Sequence, residues 1–290
     1  MTAAPVRLLQ AHGNHGVAEV DGAARRIHFP RRIERPLPGD RIHIDSAGTL
    51  TGILPRGTLF GRGDDRGRFR PIAANLDRAA IVIAAEPAPS RDLLHRYLSA
   101  CLICAVEPLI VVNKTDLPRP RQQPFTDLEA LAELGFEIVE TCCGPKPDVA
   151  TLATRVDAGV TLFAGQSGVG KSSLLNALIP DLQTQTGALS RVTGKGTHTT
   201  TTATAHRHGQ TAWLVDTPGV WEYGLWQMDT NTLQRGFPEF NDYAVSCRFR
   251  DCLHHSEPGC GVTRAVASGN LPAFRHQAWL RLLAEQARFR

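Results

Sequence analysis

The sequence predicts a central α/β domain flanked by an all-β domain and a mainly helical domain. Residues 1–75 hold short strand-like segments broken by Gly, Pro and Asp. Residues 76–225 alternate apolar strand-like runs with helical segments, and residues 226–290 are helical and irregular with a cluster of Cys and His. Strands that alternate with helices are typical of a parallel sheet covered on both faces. We therefore expect domain boundaries near residues 75 and 225.

The N-terminal region is predicted to form a small antiparallel barrel. Turn residues recur about every eight to twelve positions, between segments of alternating hydrophobicity. The clearest of these segments are residues 16–20, 41–45 and 49–54. Residues 57–67 are rich in Gly, Arg and Asp, and we expect a mobile loop there.

The central region contains apolar runs of the length expected for buried strands. They are residues 79–84, 109–112, 136–139, 159–164 and 211–215. Helical segments separate most of these runs, which indicates crossover connections of the βαβ type. A further helix is predicted near residues 274–287 at the end of the chain.

Composition excludes several classes of protein. The 290 residues are 42% hydrophobic and 21% charged, the balance of a globular protein. No apolar run approaches the roughly 20 residues of a membrane span, and the N-terminus lacks the apolar segment of a signal peptide. We therefore expect a cytoplasmic protein, whose seven cysteines are metal ligands or core residues rather than disulfides.

Positive charge is concentrated at the two ends of the chain. Residues 1–75 have a net charge of +5, residues 76–239 of −4 and residues 240–290 of +3. Two basic ends around an acidic centre suit contact with a polyanion. The alternative is that a compositional bias scatters Arg over solvated surfaces.

Residues 165–172, Gly-Gln-Ser-Gly-Val-Gly-Lys-Ser, match the phosphate-loop pattern G-x-x-x-x-G-K-[ST] between a predicted strand and a predicted helix. The glycines let backbone N–H groups surround phosphates, and the helix N-terminus adds its dipole. We expect Lys171 to reach the β- and γ-phosphates and the Ser172 hydroxyl to bind Mg²⁺. The sequence therefore predicts a nucleoside triphosphate site.

A second phosphate-side motif, Asp216-Thr-Pro-Gly219, follows the predicted strand 211–215. An Asp at this position holds Mg²⁺ directly or through water, and the N–H of Gly219 can approach the γ-phosphate. The Gly- and Thr-rich residues 193–202 have the composition of a switch segment, in which a Thr hydroxyl joins the Mg²⁺ shell. Thr199 and Thr200 are both candidates for that ligand.

Residues 113–116, Asn-Lys-Thr-Asp, indicate recognition of guanine. The Asp116 carboxylate can accept hydrogen bonds from N1–H and the 2-amino group of guanine. Adenine lacks this pair of donors and would leave a buried acceptor unpaired. Lys114 can lie along the base and tie this loop to the phosphate loop. A base-flanking loop should lie near residues 141–144, but Thr-Cys-Cys-Gly gives no assignment there.

The order of the motifs predicts a circular permutation. In ordinary GTPases the base motif lies downstream of the phosphate loop, whereas here residues 113–116 precede residues 165–172. The switch region after Asp216 then runs directly into the C-terminal domain. Nucleotide state can therefore move that domain through the covalent link.

The residue that positions the attacking water is predicted to be His198. Many GTPases place a Gln after the second phosphate-side motif, but this chain has Val220, which cannot hydrogen-bond water. His198, in the switch segment, can orient water through an imidazole nitrogen. The alternative is an exposed loop histidine with no role.

Three cysteines and a histidine within fourteen residues predict a structural zinc site. The spacing is Cys247-x₄-Cys252-x-His254-x₅-Cys260, which supplies a closed set of four N and S ligands. His255 is a competing candidate for the imidazole ligand. We expect Cys101 and Cys104 to be core residues of a helix, and Cys142 and Cys143 to have no role in a site.

These motifs together resemble the small-ribosomal-subunit-dependent GTPase family, RsgA or YjeQ, over nearly the whole chain. The shared segments are residues 38–40, 74–77, 113–116, 165–173, 196–201, 216–219 and 237–240, with the Cys/His set. The resemblance implies an all-β OB-fold barrel at 1–75, a circularly permuted α/β P-loop GTPase domain at 76–225 and a mainly helical zinc-binding domain at 226–290. It also implies that His198 matches the family's catalytic histidine.

The resemblance further implies that the chain binds the immature small ribosomal subunit and its rRNA. GTP hydrolysis would be stimulated by the subunit and would assist its late maturation and the release of other assembly factors. The implied cofactors are one structural zinc ion and Mg²⁺ with GTP.

The predicted site residues form three sets. The nucleotide set is Asn113, Lys114, Thr115, Asp116, Gly165, Gln166, Ser167, Gly168, Val169, Gly170, Lys171, Ser172, Ser173, Asp216 and Gly219. The magnesium set is Ser172, Thr199, Thr200 and Asp216. The zinc set is Cys247, Cys252, His254 and Cys260, and the catalytic candidate is His198.

Two other functions fit parts of the sequence. One is a GTPase switch that acts on a protein partner, and the other is an RNA-binding module whose nucleotide domain only senses GTP. The barrel has few aromatic residues, which favours arginine contacts to the phosphates of folded RNA over base stacking. Nothing in the sequence requires more than a monomer.

Overall fold

The computed structural model describes residues 4–90, 92–144, 147–193, 202–218 and 223–289. Within these ranges the strands form three sheets, of five, six and two strands. In the same part of the chain, no helix combines the length and the apolar character that a membrane crossing needs.

The first sheet closes into the predicted barrel. Its five strands are antiparallel in the order β3-β2-β1-β4-β5, and a parallel bridge between His28 and Thr49 joins its two edges. Leu8, Ile27 and Ile42 fill the interior and are almost completely buried. This arrangement is the OB fold expected for the N-terminal region. The strands are β1 Val6–His12, β2 His15–Val20, β3 Ala23–His28, β4 Arg41–Ile44 and β5 Leu50–Ile53.

A separate two-stranded hairpin follows the barrel, so the mobile loop predicted at 57–67 is wrong. The Asp64 side chain accepts a hydrogen bond from the backbone N–H of Arg68, at 2.9 Å, which fixes the turn. The Gly63 N–H donates to the carbonyl of Gly224 at 2.8 Å, which ties the first strand to a distant segment. Tertiary contact therefore orders a sequence whose composition favours a loop. The strands are β6 Leu59–Gly63 and β7 Phe69–Ala74.

The central sheet has six strands in the order β10-β9-β8-β11-β13-β12. All neighbouring pairs are parallel except the edge strand β12, which runs antiparallel to β13. The inner strands β8 and β11 are buried along nearly their whole length, as expected where helices cover both faces. The strands are β8 Arg78–Ala84, β9 Glu107–Asn113, β10 Glu137–Glu140, β11 Val160–Gly165, β12 Thr204–His208 and β13 Ala212–Asp216.

In the described part of residues 76–225, five α-helices accompany the central sheet. The phosphate-loop helix α4 begins at Lys171, directly after Gly170, whose φ of 99° is a conformation that favours glycine. The helices are α1 Leu93–Ile103, α2 Leu128–Glu133, α3 Ala150–Arg155, α4 Lys171–Leu178 and α5 Leu182–Thr193. These elements confirm the predicted α/β fold class.

The C-terminal region is mainly helical, as predicted. Trp279, Phe237 and Phe240 are fully buried and pack against one another, with ring centroids 5.4 to 5.7 Å apart. The helices are α6 Thr230–Gln234, α7 Asn241–Ala244, α8 Gly261–Ala267 and α9 Ala273–Gln286.

Helix α9 is tied to helix α1 of the central region by ion pairs. Arg281 makes two hydrogen bonds to the Asp92 carboxylate, at 2.5 and 2.7 Å. Arg96 and Glu285 form a second two-bond pair. Two-bond pairs of this kind fix orientation as well as distance, so they hold the two helices in a defined register.

Arg275 completes this joint from a fully buried position. Its Nε donates to Glu239 at 2.5 Å and its Nη2 donates to the carbonyl of Gly236 at 3.0 Å. The guanidinium lies 4.3 Å from the ring centroid of Phe237. Its Nη1 lies 3.2 Å from Nδ1 of His95 in α1. These partners compensate much of the free-energy penalty for removing the Arg275 guanidinium from water.

The barrel contacts the edge of the central sheet. Gln10 of β1 donates to the Thr204 hydroxyl of β12 at 2.9 Å, and Glu19 of β2 forms an ion pair with Arg207. The guanidinium of Arg7 lies 5.2 Å from the ring centroid of Trp213. Helix α5 also packs on β2 and β3. Both the helix before residues 194–201 and the strand after them therefore rest on the barrel.

Candidate nucleotide site and metal centre

The predicted nucleotide motifs meet at one edge of the central sheet. Residues 113–116 begin at the end of β9, the phosphate loop begins at the end of β11, and Asp216 ends β13. These strands are parallel, so their carboxyl ends share the edge where open α/β sheets bind ligands.

The phosphate loop has the backbone that anion binding requires. Gly165, Gly168 and Gly170 all have positive φ, between 84° and 144°, so backbone N–H groups can turn inward. The Nζ of Lys171 lies 2.9 Å from the carbonyls of Gly165 and Gln166. Burial lowers the pKa of Lys171, while the nearby Asp216 opposes this shift. The ammonium is thus held beside the loop and close to a carboxylate.

The base-motif loop is hydrogen-bonded to the phosphate loop. The Asn113 side chain donates to the carbonyl of Val169 at 2.9 Å, and Lys114 Nζ donates to the carbonyl of Gly168 at 2.9 Å. A Cβ at Gly170 would overlap the Asn113 amide, so this contact requires glycine. Lys114 Nζ also donates to the carbonyl of Glu86 at 2.7 Å. Glu86 belongs to none of the motifs that the sequence indicated.

Two of the predicted magnesium residues, Asp216 and Ser172, lie at this edge of the sheet, at the end of β13 and in the first turn of α4. Asp216 is buried at the end of β13, and the Thr217 hydroxyl donates to the carbonyl of Phe163 at 2.7 Å. Ser172 is exposed at the first turn of α4. The other predicted residues on this side lie outside the described residues. They are His198, Thr199, Thr200 and Gly219.

The loop after β10 contacts the base motif, in the region where a base-flanking loop was expected but no residue of it was assigned. The Cys142 thiol lies 3.1 Å from Oδ1 of Asp116, and the Thr141 hydroxyl donates to Oδ1 of Asn113 at 3.0 Å. Cys142 was expected to have no role in a site, yet it touches the predicted base-reading carboxylate. The signal available in the sequence was position, because β10 is parallel to β9 and ends beside it.

Cys143, next to Cys142, was also expected to have no role in a site. Its thiol is half-buried. Burial raises the pKa of the Cys143 thiol, with smaller contributions from Cys142 and Asp116. A neutral thiol here avoids a second negative charge close to Asp116. Cys101 is fully buried in α1, consistent with the predicted core role, and burial raises the pKa of its thiol as well.

The Cys/His cluster has the dimensions of a zinc site. Its four ligand atoms all lie within 4.8 Å of one another. A tetrahedral zinc with bonds of about 2.3 Å to sulfur and 2.0 Å to nitrogen places S···S pairs about 3.8 Å apart and S···N pairs about 3.5 Å apart. Cys247 Sγ lies 3.9 Å from Cys260 Sγ and 3.6 Å from His254 Nδ1, and Cys260 Sγ lies 3.5 Å from the same nitrogen.

Surrounding groups support this cluster. The backbone N–H of Gly261 points at Cys247 Sγ and that of Thr263 at Cys260 Sγ, so the sulfurs accept hydrogen bonds as thiolates do. His255 is exposed and lies 3.0 Å from the Ser256 hydroxyl, outside the cluster. The donor set that fits one zinc ion therefore contains His254 and not His255.

Comparisons with known proteins agree with this geometry. Residues 53–226 match the protein family described as RsgA GTPase. The small ribosomal subunit biogenesis GTPase RsgA of Ectopseudomonas mendocina is 38% identical over 272 residues, which cover 92% of this chain and 79% of the relative. The protein of the same name from Chromohalobacter salexigens is 38% identical over 276 residues, which cover 93% and 80% of the two chains.

Solved structures show the same architecture. YjeQ from Thermotoga maritima superposes with a TM-score of 0.72 at 27% identity, over 98% of both chains. YloQ, described as a circularly permuted GTPase, gives a TM-score of 0.70 at 26% identity and covers 99% of this chain and 96% of its own. Circular permutation, predicted here from the order of the motifs, is thus also part of the description of a structural neighbour.

Proposed function

The chain belongs to the RsgA GTPase family, and from this premise we propose that it hydrolyses GTP to assist late maturation of the small ribosomal subunit. The proposal includes binding to the immature subunit and its rRNA, stimulation of hydrolysis by the subunit, and help in releasing other assembly factors. The relatives carry the name of a biogenesis GTPase of this subunit, which supports the partner.

The observation that carries the proposal is the contact between the base loop and the phosphate loop. Asn113 and Lys114 are bonded to the carbonyls of Val169 and Gly168. These bonds set the distance between the predicted guanine-reading residue Asp116 and the phosphate site. A GTPase needs that distance to be fixed, because hydrolysis depends on positioning more than on covalent chemistry.

In the proposed site, Asp116 selects guanine and Lys114 lies along the base. Lys171 and the N–H groups of residues 165–173 bind the phosphates, joined by the N–H of Gly219. Mg²⁺, when bound with GTP, neutralises charge that develops on the phosphates, and Ser172 and Asp216 would hold it. One of Thr199 and Thr200 would complete its shell.

His198 is proposed to orient the attacking water. The residue after the second phosphate-side motif is Val220, which has no hydrogen-bonding side chain. An imidazole nitrogen on the switch segment can accept a hydrogen bond from the water and direct its oxygen at the γ-phosphate in line with the leaving group.

The other regions are proposed to supply the contacts with the subunit. The barrel at 1–75 and the zinc-binding region at 226–290 carry net positive charge around the GTPase domain at 76–225. Arginine contacts to phosphates would give affinity that falls as salt rises. We propose a cytoplasmic protein that acts as a monomer.

The test is GTP hydrolysis by the purified chain, alone and with purified small ribosomal subunits, with ATP as the control nucleotide. We expect turnover confined to GTP and raised at least tenfold by small subunits. Lys171→Ala should abolish nucleotide binding. His198→Ala should bind GTP as the unmodified chain does and lose the stimulated turnover.

Equal hydrolysis of ATP would contradict the role of Asp116. Turnover that is indifferent to small subunits would leave a permuted GTPase with another partner. Stimulated turnover that survives His198→Ala would remove the proposed water-positioning role from that residue.

A further inference from the structure

Tyr223 connects the segment after the Asp216 motif to two other elements. Its side chain is 3% exposed, and its hydroxyl donates to the carbonyl of Gly61 in β6. Its ring stacks on that of Tyr97 in α1, with centroids 4.1 Å apart and an interplanar angle of 29°. The ring of Phe60 lies 6.2 Å away. The hairpin and helix α1 therefore hold the same side chain.

The residues that follow Tyr223 continue along the hairpin. Gly224 accepts a hydrogen bond from the Gly63 N–H at 2.8 Å. Trp226 packs edge-on against Phe69, with ring centroids 4.6 Å apart. A Cβ at Gly63 would overlap the backbone of Leu225. The hairpin strand and the segment at Leu225 therefore lie so close together that only glycine fits at position 63. This contact fixes the position of the chain beyond the switch region.

The chain is also fixed before that region. The Thr217 side chain is buried, and its hydroxyl is bonded to the carbonyl of Phe163 in β11. Only residues 218–222 lie between these two anchored positions. The Thr217 bond and the Tyr223 contacts therefore fix the chain at residues 217 and 223.

Tyr97 links this anchor to the phosphate loop. Tyr97 lines one cavity together with Ala164, which adjoins Gly165, and with Pro218 and Tyr223. Gly165 is the first residue of the phosphate loop. The stacked rings of Tyr97 and Tyr223 therefore connect the neighbourhood of the phosphate loop to the chain at residue 223.

We infer that Tyr223 is a positioning residue for GTP hydrolysis. It holds the chain that follows the Asp216-Thr217-Pro218 motif, from residue 223 onward, in a fixed place relative to the phosphate loop. The inference rests on the proposed function. Among the residues that the structure describes, the contacts of Tyr223 are with Gly61, Phe60 and Tyr97, none of them a predicted nucleotide-binding residue. Its loss should therefore lower turnover while leaving nucleotide affinity unchanged.

The test compares two substitutions that remove the same kind of hydrogen bond. Tyr223→Phe loses the bond to the carbonyl of Gly61, and Tyr243→Phe loses a 3.0 Å bond to the carbonyl of Asn270 in the C-terminal helical region. Single-turnover GTP hydrolysis, with and without small subunits, is measured beside the Kd for GDP and the thermal midpoint.

We expect Tyr223→Phe to slow hydrolysis about three- to thirtyfold, with a Kd for GDP within twofold of the unmodified chain. Tyr243→Phe should hydrolyse GTP at the unmodified rate. The Tyr223 bond is buried and the Tyr243 bond is exposed, so hydrolysis is measured well below both thermal midpoints. A difference in rate then reflects positioning rather than unfolding.

Two results would overturn the inference. One is an unchanged hydrolysis rate in Tyr223→Phe, and the other is an equal loss of rate in Tyr223→Phe and Tyr243→Phe. An unmodified chain that binds GDP but hydrolyses no GTP would instead contradict the proposed function, and the positioning role would fall with it.

Discussion

At the scale of single residues, Asp40 illustrates how the barrel tolerates a buried charge. The side chain has no exposed surface, and its carboxylate accepts three hydrogen bonds. One comes from the Leu37 N–H at 2.7 Å and two come from Arg56 at 2.8 and 2.9 Å. Asp40 belongs to the motif at 38–40, so its place in that motif has a structural cause.

Removal of Arg56 should leave a buried carboxylate without its main partner. We expect Arg56→Ala to lower the free energy of unfolding by about 3 kcal/mol. Glu34→Ala is the matched control, because the Glu34 side chain is 74% exposed and also pairs with Arg56. That variant should cost less than about 1 kcal/mol. Urea unfolding with amide exchange at Leu37 measures both effects, and equal costs would contradict the argument.

The local backbone of the predicted nucleotide motifs follows from their residue types and spacing. The phosphate-loop glycines have the positive φ that the motif implies, and the base motif reaches that loop. Cys142 was not predictable from its residue type, because a thiol beside Asp116 has no recurring pattern. Only the parallel pairing of β10 with β9 brings it there.

At the scale of elements, helix α1 carries a histidine that folding keeps neutral. Arg275 is always protonated, so its Nη1 must donate to Nδ1 of His95, which can accept only as neutral imidazole. Burial, followed by the charges of Arg275 and Arg281, lowers the pKa of His95 to about 3. Burial also lowers the pKa of His206 in β12, to about 4.

These histidines should make the fold sensitive to mild acid. Between pH 6.5 and about 4 the unfolded chain binds more protons than the folded chain, so stability falls as pH falls. From pH 7 to 5.5 each histidine should cost about 1 kcal/mol. His95→Asn keeps an acceptor for Arg275 without titrating, and should remove about half of the loss.

Urea unfolding at the two pH values tests this, with zinc content measured in each sample. The unmodified chain and His95→Asn are compared under the same conditions. Identical pH slopes for the two proteins would show that His95 is not the titrating group.

The zinc cluster should govern the C-terminal helices and not the nucleotide site. Cys252→Ser removes one ligand of a set that fits one zinc ion. Structural zinc contributes about 10 kcal/mol or more to small folds, so we expect loss of the metal and rapid amide exchange in α8 and α9. GDP should still bind.

Cys143→Ser is the matched control for this experiment, because Cys143 lies outside the cluster. Metal content by mass spectrometry and the Kd for GDP are measured for both variants. A Cys252→Ser protein that retains zinc and protected helices would contradict the ligand set.

The elements that the sequence predicted correctly are those whose own pattern dictates them. The buried runs at 79–84 and 159–164 became β8 and β11, and the last predicted helix became α9. The hairpin at residues 59–74 escaped prediction because its order comes from the distant segment at 223–227. Local composition carries no record of a partner that far along the chain.

At the scale of the whole molecule, the barrel and the central sheet meet through a mixed surface. Trp213 is 8% exposed between the guanidinium groups of Arg7 and Arg207. The ion pair of Arg207 with Glu19 lies nearer to solvent, since the Arg207 side chain is 44% exposed. Apolar burial should therefore contribute more to this joint than charge.

Two substitutions test which interaction holds the barrel in place. Trp213→Ala should cost about 3 to 5 kcal/mol, because it leaves a cavity at the joint. Glu19→Gln should cost less than about 1 kcal/mol, and the cost should shrink at high salt. Denaturant unfolding at low and high ionic strength measures both, and a larger cost for Glu19→Gln would reverse our ranking.

During synthesis on the ribosome, the hairpin of β6 and β7 is made long before the residue that covers it. Tyr223, which covers Phe60 and bonds to Gly61, is translated 162 residues after Gly61. At about 5 to 20 residues per second, this interval lasts roughly 10 to 30 s. For that time the nascent chain presents an apolar hairpin face whose partner does not yet exist. Nascent chains that stop before residue 223 should therefore be substrates for chaperones.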